Sequence, residues 1–302
     1  MSRFARYAKF VSKNEFLTRN LFSFFTQLVI YSKSSNYIKF YADLTGSLGN
    51  GLIGSENNAN KKRALAGLAL LRPDKFDSEN FVRFGPKADG GYVVFNSLKK
   101  INQIITIGVA KDTAFEEHLS AEYPDILFNL FDHTDKPVRF LSKNFSFHNI
   151  GLGLESKDNK ISIDDLLNTF AKNHDNLILK IDIEGGEYEA FNSENLKLLK
   201  NIDQILIEIH FIDKNLVQSK KFFDLITGFR ENFCLAHIHG NNNDSWVNIF
   251  GAMVPKTLEL TFVNKKYSNM QMENLIIFPR DLDYANSAGN EMYLGTFIFP
   301  LK

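Results

Sequence analysis

The sequence has almost no cysteine and no excess charge of either sign. Cys234 is the single cysteine among 302 residues, which excludes an internal disulfide and a cysteine-based zinc site. Lysine plus arginine and aspartate plus glutamate both number 35, so no overall field attracts nucleic acid. We therefore predict a cytoplasmic or otherwise reducing setting and no nucleic-acid partner.

A long hydrophobic run is also missing. The apolar stretch at residues 21–31 contains Ser23, Thr26 and Gln27, and it is shorter than the about 20 apolar residues that cross a bilayer. Basic residues precede it, but no small-residue cleavage site follows. The sequence predicts neither a transmembrane helix nor a signal peptide.

Residues 1–75 differ from the rest of the chain. Aromatic and aliphatic residues recur every three or four positions, which predicts two amphipathic helices. A loop at 46–62 and a short helix at 63–71 follow, so we predict a helical extension and linker over 1–75 and a domain over 76–302. We expect the phenylalanine-rich helices to dock on the core or on a partner subunit of a homo-oligomer. The alternative is peripheral contact with the inner face of an anionic membrane.

From residue 81 onward, apolar strands alternate with helices, which is typical of a mainly parallel α/β sheet. A hairpin over 81–95 comes first. The predicted helices span 113–123, 162–171 and 193–201, and the predicted strands are 104–108, 126–131, 145–150, the first part of 176–187, 204–210, 234–239 and 257–264.

The stretch 176–187 is the element around which the chain is organised. Its pattern predicts a buried strand. One face of this strand becomes charged toward the C-terminal end, at Asp182 and Glu184. Ligands of open α/β sheets bind beyond the carboxyl ends of the strands. These carboxylates are therefore candidates for a site, and the alternative is a structural ion pair with Lys180.

Three predicted strand ends carry groups able to bind a hard cation or to move protons. The groups are Asp182 with Glu184, Glu208 with His210, and His239 with Asn241. Oxygen ligands with one imidazole suit Mg²⁺, Mn²⁺ or Fe²⁺ better than a structural zinc site. The sequence favours a metal site of Asp182, Glu208 and His239 over a hydrogen-bonded network without metal.

The first strand, loop and helix suggest a nucleoside cofactor. Gly108 ends the strand, and Asp132 closes the next strand roughly twenty residues later, the spacing at which an acidic side chain meets ribose hydroxyls. The loop has only one glycine, so this pattern is not specific, and many α/β proteins would match it.

Nine segments carry a family resemblance. They are, in chain order, RFGPKADGGYVV, ITIGVAKDTAFEEHL, LFDHTDKP, FHNIGLG, LKIDIEGGEYEAF, ILIEIHF, HIHGNN, LELTFV and PRDLDYAN. In this order they are similar to the FkbM-like methyltransferases, in particular to the branch with an Asp-Gly-Gly-Tyr motif, and the resemblance spans residues 83–286. It implies a Rossmann-like class I methyltransferase fold, with a seven-stranded sheet of order 3-2-1-4-5-7-6 and an antiparallel seventh strand. The loop at 108–112 departs from the family in lacking a glycine-rich run.

The resemblance implies S-adenosylmethionine as cofactor. Gly108 would let the methionine part approach the backbone, Asp132 would accept from the ribose, and adenine would lie near Gly151. Gly91 and Tyr92 would close over cofactor or substrate, and a purely structural turn is the alternative.

The implied activity is methyl transfer to a hydroxyl-rich acceptor, a sugar of a surface glycan or its nucleotide-linked precursor. A bound Mg²⁺ or Mn²⁺ would lower the pKa of the acceptor hydroxyl. Asp182 or His210 would take the proton, with Glu184 as a further catalytic candidate. Two alternatives are a methyltransferase of the same fold acting on a small secondary metabolite, and a non-catalytic assembly module.

Overall fold

The structure is a computed structural model that describes residues 59–74, 80–137, 142–171, 175–250, 252–270, 278–292 and 294. Most strands of the central sheet are runs of branched and aromatic residues buried on both faces, as expected for parallel strands covered by helices. The seven strands of this sheet are β3 (Gln103–Ile107), β4 (Leu127–Phe131), β5 (Phe145–His148), β8 (Leu177–Ile181), β9 (Gln204–Ile209), β10 (Phe233–Gly240) and β13 (Leu258–Asn264).

Their order across the sheet is β5-β4-β3-β8-β9-β13-β10. Numbered along the chain within this sheet, that is 3-2-1-4-5-7-6, the order that the resemblance implies. The strand β13 runs antiparallel to both of its neighbours, while β8 is parallel to β3 and to β9. The structure thus has the predicted α/β architecture, a Rossmann-like, mostly parallel sheet.

Short paired strands lie outside this sheet. The predicted hairpin is present, because β1 (Phe81–Phe84) pairs antiparallel with β2 (Tyr92–Phe95). The other pairs are β6 (Gly151–Leu152) with β7 (Lys160–Ile161), and β11 (Trp246–Ile249) with β12 (Ala252–Pro255).

Helices cover both faces of the sheet. On one face, α1 (Ala59–Leu70), α3 (Ile163–Phe170) and α5 (Lys220–Asn232) share a core with the apolar faces of β8 and β9. On the other face, α2 (Ala114–Glu122) packs with the hairpin β1–β2. The remaining α-helix is the short α4 (Glu187–Ala190), and the 3₁₀ helices are Leu98–Lys100, Asn195–Asn201, Leu216–Gln218 and Lys265–Met270.

Two local predictions differ from the structure. The linker predicted to reach residue 62 ends earlier, because α1 begins at Ala59. The segment predicted as an α-helix at 193–201 is a 3₁₀ helix, Asn195–Asn201. Ser162 is the N-cap of α3, since its side chain accepts a hydrogen bond from the Asp165 N–H.

The two predicted amphipathic helices and residues 46–58 of the linker lie outside the described residues. The division into an extension and a domain stays a prediction. Within the described ranges, no helix is both long and apolar enough to cross a membrane.

Candidate functional site

Asp182, Glu208 and His210 meet at the carboxyl ends of two neighbouring parallel strands. Asp182 follows β8 directly, Glu208 is the penultimate residue of β9, and His210 follows that strand. One ligand atom from each residue lies within 4.8 Å of the other two. We call these three residues the Asp182 cluster.

His210 lies among carboxylates on two sides. Its Nε2 atom is 3.8 Å from Asp182 Oδ1, 3.6 Å from Glu208 Oε1 and 3.6 Å from Glu184 Oε2. Its Nδ1 atom is 2.9 Å from Glu187 Oε1. Burial lowers the pKa of His210, but the hydrogen bond and charge of Glu187 and the charges of Glu208 and Asp182 outweigh it and raise this pKa to about 9.

The two carboxylates of the Asp182 cluster are held where ionisation is costly. Burial raises the pKa of Asp182, although Lys180 and His210 oppose the rise. Burial, followed by the charges of Asp182 and Glu259, raises the pKa of Glu208 well above its ordinary value. A further positive charge at this position would therefore relieve repulsion among these groups.

Tyr92 joins the two carboxylates. Its hydroxyl donates to Asp182 Oδ2 at 3.0 Å and lies 3.5 Å from Glu208 Oε2. Burial and the charges of Asp182 and Glu208 raise the pKa of Tyr92 well above its ordinary value, so the phenol keeps its proton. Asn241 donates to Glu208 Oε1 at 2.8 Å. The structure thus places Tyr92 inside the cluster, and its contact with a cofactor stays a prediction.

Lys180 does not form the ion pair with Asp182 or Glu184 that was the structural alternative. Its Nζ atom lies 4.0 Å from Glu116 Oε1 and 4.5 Å from the centre of the Tyr92 ring. Glu116 in turn accepts a hydrogen bond from Thr106. The ammonium group therefore lies against the Tyr92 ring, and its charge opposes the rise in the pKa of Asp182 without an ion-pair contact.

Two residues at the mouth of the cluster have left-handed backbone conformations. Glu184 has a φ of 53° and Phe211 a φ of 56°. Such a conformation costs about 1–3 kcal/mol for a residue with a side chain and collects at functional sites. The side chain of Glu184 is 84 % exposed, and Phe211 is 62 % exposed.

The structure does not bring His239 to the Asp182 cluster. The strand β13 lies between β9 and β10, and its Glu259 is the register partner of Glu208 on one side and of His239 on the other. With strands about 4.8 Å apart, His239 is two strands away. Its Nδ1 and Nε2 atoms contact Glu259 and Glu291 at 3.0 and 2.9 Å. The structure therefore groups His210, and not His239, with Asp182 and Glu208.

The predicted cofactor residues lie at the ends of β3 and β4. A Cβ on Gly108, whose φ is +83°, would lie 1.5 Å from the Asp182 carbonyl oxygen, so the strand ends approach as only glycine allows. Asp132 Oδ2 accepts from the Ala110 N–H at 2.7 Å. Its Oδ1 accepts from the turn at Thr134 and Asp135. A carboxylate oxygen has about two acceptor sites, so Oδ2 can accept one more hydrogen bond, and its contact with ribose stays a prediction.

Gly91 and Gly151 are places of close packing. A Cβ on Gly91 would lie 2.2 Å from the Pro86 carbonyl oxygen, and one on Gly151 would lie 2.5 Å from His133 Nδ1. For Gly91 this packing supports the structural-turn alternative. Adenine was expected near Gly151, and the structure places the ring of His133 in close contact with this glycine. Both cofactor roles stay predictions.

Glu187 is the residue of this site that the sequence did not single out. It is fully buried, and its Oε1 accepts from the N–H groups of Ile183 and Gly185 and contacts His210. Its Oε2 has no partner among the described residues. The sequence offers only a glutamate after two glycines as a signal, because the partner His210 lies 23 residues further along the chain.

Comparison with known proteins identifies one family. The model of the methyltransferase FkbM domain matches residues 73–233, more than half of the chain. A search of curated proteins gives no match.

Solved structures give only distant likenesses. The chain is 11 % identical to a chain of a fibrillarin/Nop5p complex (TM-score 0.34; 55 % of this chain and 73 % of that one covered). It is 9 % identical to CalO1, a methyltransferase in calicheamicin biosynthesis (TM-score 0.27; 80 % and 67 %), and 11 % identical to the plantazolicin methyltransferase BpumL (TM-score 0.29; 87 % and 99 %). These values support no assignment of activity.

Proposed function

As a member of the FkbM methyltransferase family, the chain is an S-adenosylmethionine-dependent methyltransferase, and we propose that it methylates a hydroxyl oxygen of a sugar. The observation that carries the proposal is the Asp182 cluster, which puts two carboxylates and an imidazole within 4.8 Å of one another beside the end of β3. A sugar hydroxyl needs such groups, because an alcohol does not lose its proton readily at neutral pH.

We propose that the Asp182 cluster holds Mg²⁺ or Mn²⁺. Carboxylate oxygens and one imidazole are ligands that these ions accept. Glu187 binds the other ring nitrogen of His210, as the partners of metal-bound histidines do. The pKa of Glu208 is raised because this residue is buried beside the charges of Asp182 and Glu259. A cation bound at this site would balance these negative charges. A bound cation would lower the pKa of the acceptor hydroxyl.

The residues of the chain then have separate tasks. S-adenosylmethionine supplies an electrophilic methyl group for an in-line displacement. Gly108 and Asp132 hold the cofactor at the ends of β3 and β4. Asp182 accepts the hydroxyl proton, because burial raises its pKa and its side chain, at 24 % exposed, is the most accessible of the Asp182 cluster. Tyr92 keeps Asp182 oriented through its hydrogen bond.

The sugar is proposed to belong to a surface glycan or to its nucleotide-linked precursor, which places the protein in polysaccharide biosynthesis. A hydroxyl-rich acceptor suits a site whose exposed and half-buried groups are mainly hydrogen-bond acceptors, Glu184 and Asp182. The family resemblance supports this part of the proposal.

Transfer of a labelled methyl group tests the proposal. The protein is incubated with methyl-labelled S-adenosylmethionine and a panel of methyl glycosides and nucleotide sugars, with and without EDTA. We expect label in a sugar methyl ether, loss with EDTA, return with Mg²⁺ or Mn²⁺, and at least about a hundredfold loss in Asp182→Asn. Glu194→Gln, which changes a carboxylate whose side chain is 79 % exposed on another surface, should be unaffected. Full transfer in EDTA would contradict the role of the cation, and no transfer to any sugar would contradict the acceptor class.

A further inference from the structure

Phe211 is a large apolar side chain left in solvent beside the Asp182 cluster. Among the residues that the structure describes, two large hydrophobic side chains are exposed, Phe211 at 62 % and Leu154 at 44 %. Phe211 follows His210 directly, and the two ring centroids are 6.0 Å apart. An exposed aromatic residue next to a cluster of buried titratable groups is a candidate for substrate contact.

The ring of Phe211 is held in place by the loop after β8 and by His210. A Cβ added to Gly185 would lie 2.4 Å from Phe211 Cε2 and 2.7 Å from Cδ2, so the absence of a side chain at Gly185 lets one edge of the ring pack against the loop after β8. His210, itself buried and bound to Glu187, supports the ring from the side of the cluster. The contacts at this edge and with His210 thus hold the phenyl ring beside the Asp182 cluster, with most of its surface exposed.

The polar groups around the Phe211 ring determine which ligand can bind over it. Glu184 Oε2 lies 3.6 Å from His210 Nε2 at the mouth of the site, and Asp182 and Glu208 lie behind it. These groups accept hydrogen bonds from hydroxyls, while the negative face of an aromatic ring attracts polarised C–H groups. A pyranose ring offers both, with C–H bonds on its face and hydroxyls around its edge. A purely apolar ligand would offer these carboxylates no further hydrogen-bond donor.

We propose that Phe211 is the platform on which the acceptor sugar ring stacks, with a neutral C–H face on the phenyl ring and a hydroxyl directed at Asp182. The proposal rests on the proposed sugar methylation and adds the residue that selects a ring with an apolar face. Phe211 is a specificity-determining residue, and it takes no part in proton transfer.

Binding of neutral sugars tests the platform without turnover. Saturation-transfer NMR is recorded for methyl glycosides of neutral hexoses with the full chain, S-adenosylhomocysteine and Mg²⁺. We expect transfer mainly to the C–H protons of one ring face. Phe211→Ala should weaken binding at least about tenfold, Phe211→Trp should retain it, and Leu154→Ala, the other exposed hydrophobic residue, should behave as the unchanged protein. The affinity for S-adenosylhomocysteine, measured by calorimetry, should be equal in all four proteins.

The outcomes separate this proposal from the proposed function. In the labelled-methyl assay, Phe211→Ala should raise KM for the sugar and leave kcat nearly unchanged. Sugar methylation with the same KM in Phe211→Ala would overturn the platform and leave the function standing. Methylation of no sugar by the unchanged protein would overturn the function itself. Binding of a planar phenol in place of every glycoside would overturn the sugar as the occupant of the ring.

Discussion

Asp132 holds the loop after β3 and the turn after β4 at the same time. Its Oδ2 accepts from the Ala110 N–H, and its Oδ1 accepts from the Thr134 and Asp135 N–H groups and the Thr134 hydroxyl. The carboxylate of Asp132, which is expected to bind ribose, therefore joins the loop after β3 to the turn after β4. A substitution at Asp132 should change both cofactor affinity and stability.

Asp132→Ala should weaken binding of S-adenosylmethionine. The lost charge-assisted hydrogen bond to ribose corresponds to about 1.5–3 kcal/mol, or about 10- to 150-fold in the dissociation constant. Calorimetric titration measures it, and circular dichroism checks that the variant is folded. An unchanged dissociation constant in a folded variant would contradict the ribose assignment.

The hydrogen bonds of Asp132 also predict a pH dependence. Burial would raise the pKa of Asp132, but the backbone N–H groups of Asp135, Thr134 and Ala110 outweigh it and lower this pKa. A lowered pKa in the folded state gives stability that is present above the unfolded value of about 3.9 and is lost as the pH falls through the folded value.

Asp132→Asn should therefore lower the free energy of unfolding by about 1.5–3 kcal/mol at pH 7. The difference from the unchanged protein should shrink as the pH falls below about 4. Urea unfolding at several pH values measures it. A difference that is constant from pH 7 to pH 3 would show that the charge of Asp132 is not the cause.

The residues of the Asp182 cluster show how far sequence reasoning reaches. Asp182 and Glu208 follow from the rule that polar groups at the carboxyl ends of neighbouring parallel strands meet. The sequence grouped His239 with them, but the structure separates it from them because β13 places Glu259 between β9 and β10. The periodicity of a strand carries no information on which strands are neighbours. Glu187 could not be found because its contact with His210 depends on how α4 packs against β9.

At the scale of elements, the start of the loop after β3 packs directly against Asp182, which follows β8 and belongs to the Asp182 cluster. Gly108 has a φ of +83°, and the Asp182 carbonyl oxygen occupies the space of a Cβ. Gly108→Ala should destabilise the protein by about 2–5 kcal/mol, the sum of about 1–2 for a left-handed backbone and about 1–3 for overpacking.

Thermal and urea unfolding of Gly108→Ala test this packing. Gly186→Ala is the matched control, because Gly186 has a φ of −73° and the tightest contact of its added Cβ, 3.2 Å, is with the end of the Ile183 side chain. Equal losses of stability in the two variants would contradict the close approach of the two strand ends.

The sequence predicted most strands of the sheet because continuous apolar runs bounded by polar residues are typical of buried strands. It did not identify α5 or the pair β11–β12. In α5 the apolar positions are interrupted by Thr227 and Gly228, and Gly228 packs on the side chain of Leu196. The strands β11 and β12 are only partly buried, so no alternation marks them.

At the scale of the whole molecule, α1 belongs to the same core as the sheet. The buried residues of this segment are Ala64, Leu65 and Leu68 in α1 and Leu71 directly after it. They share a core with residues of α5 and of the central strands. Leu68→Ala should therefore lower the free energy of unfolding by about 2–5 kcal/mol, and Leu70→Ala, at a partly buried position, should cost less. Calorimetry of the whole chain measures both. An unchanged main transition in Leu68→Ala would show that α1 folds apart from the domain.

The central claim is that Asp182, Glu208 and His210 form a divalent-cation site next to the cofactor. Titration of the chain with Mn²⁺ in the presence of S-adenosylhomocysteine, followed by electron paramagnetic resonance, tests it most directly. We predict one bound Mn²⁺ per chain, lost in Asp182→Asn and in His210→Ala and retained in Glu194→Gln, with binding of S-adenosylhomocysteine kept in all variants. Equal Mn²⁺ binding by Asp182→Asn and the unchanged protein, or none in either, would contradict the claim.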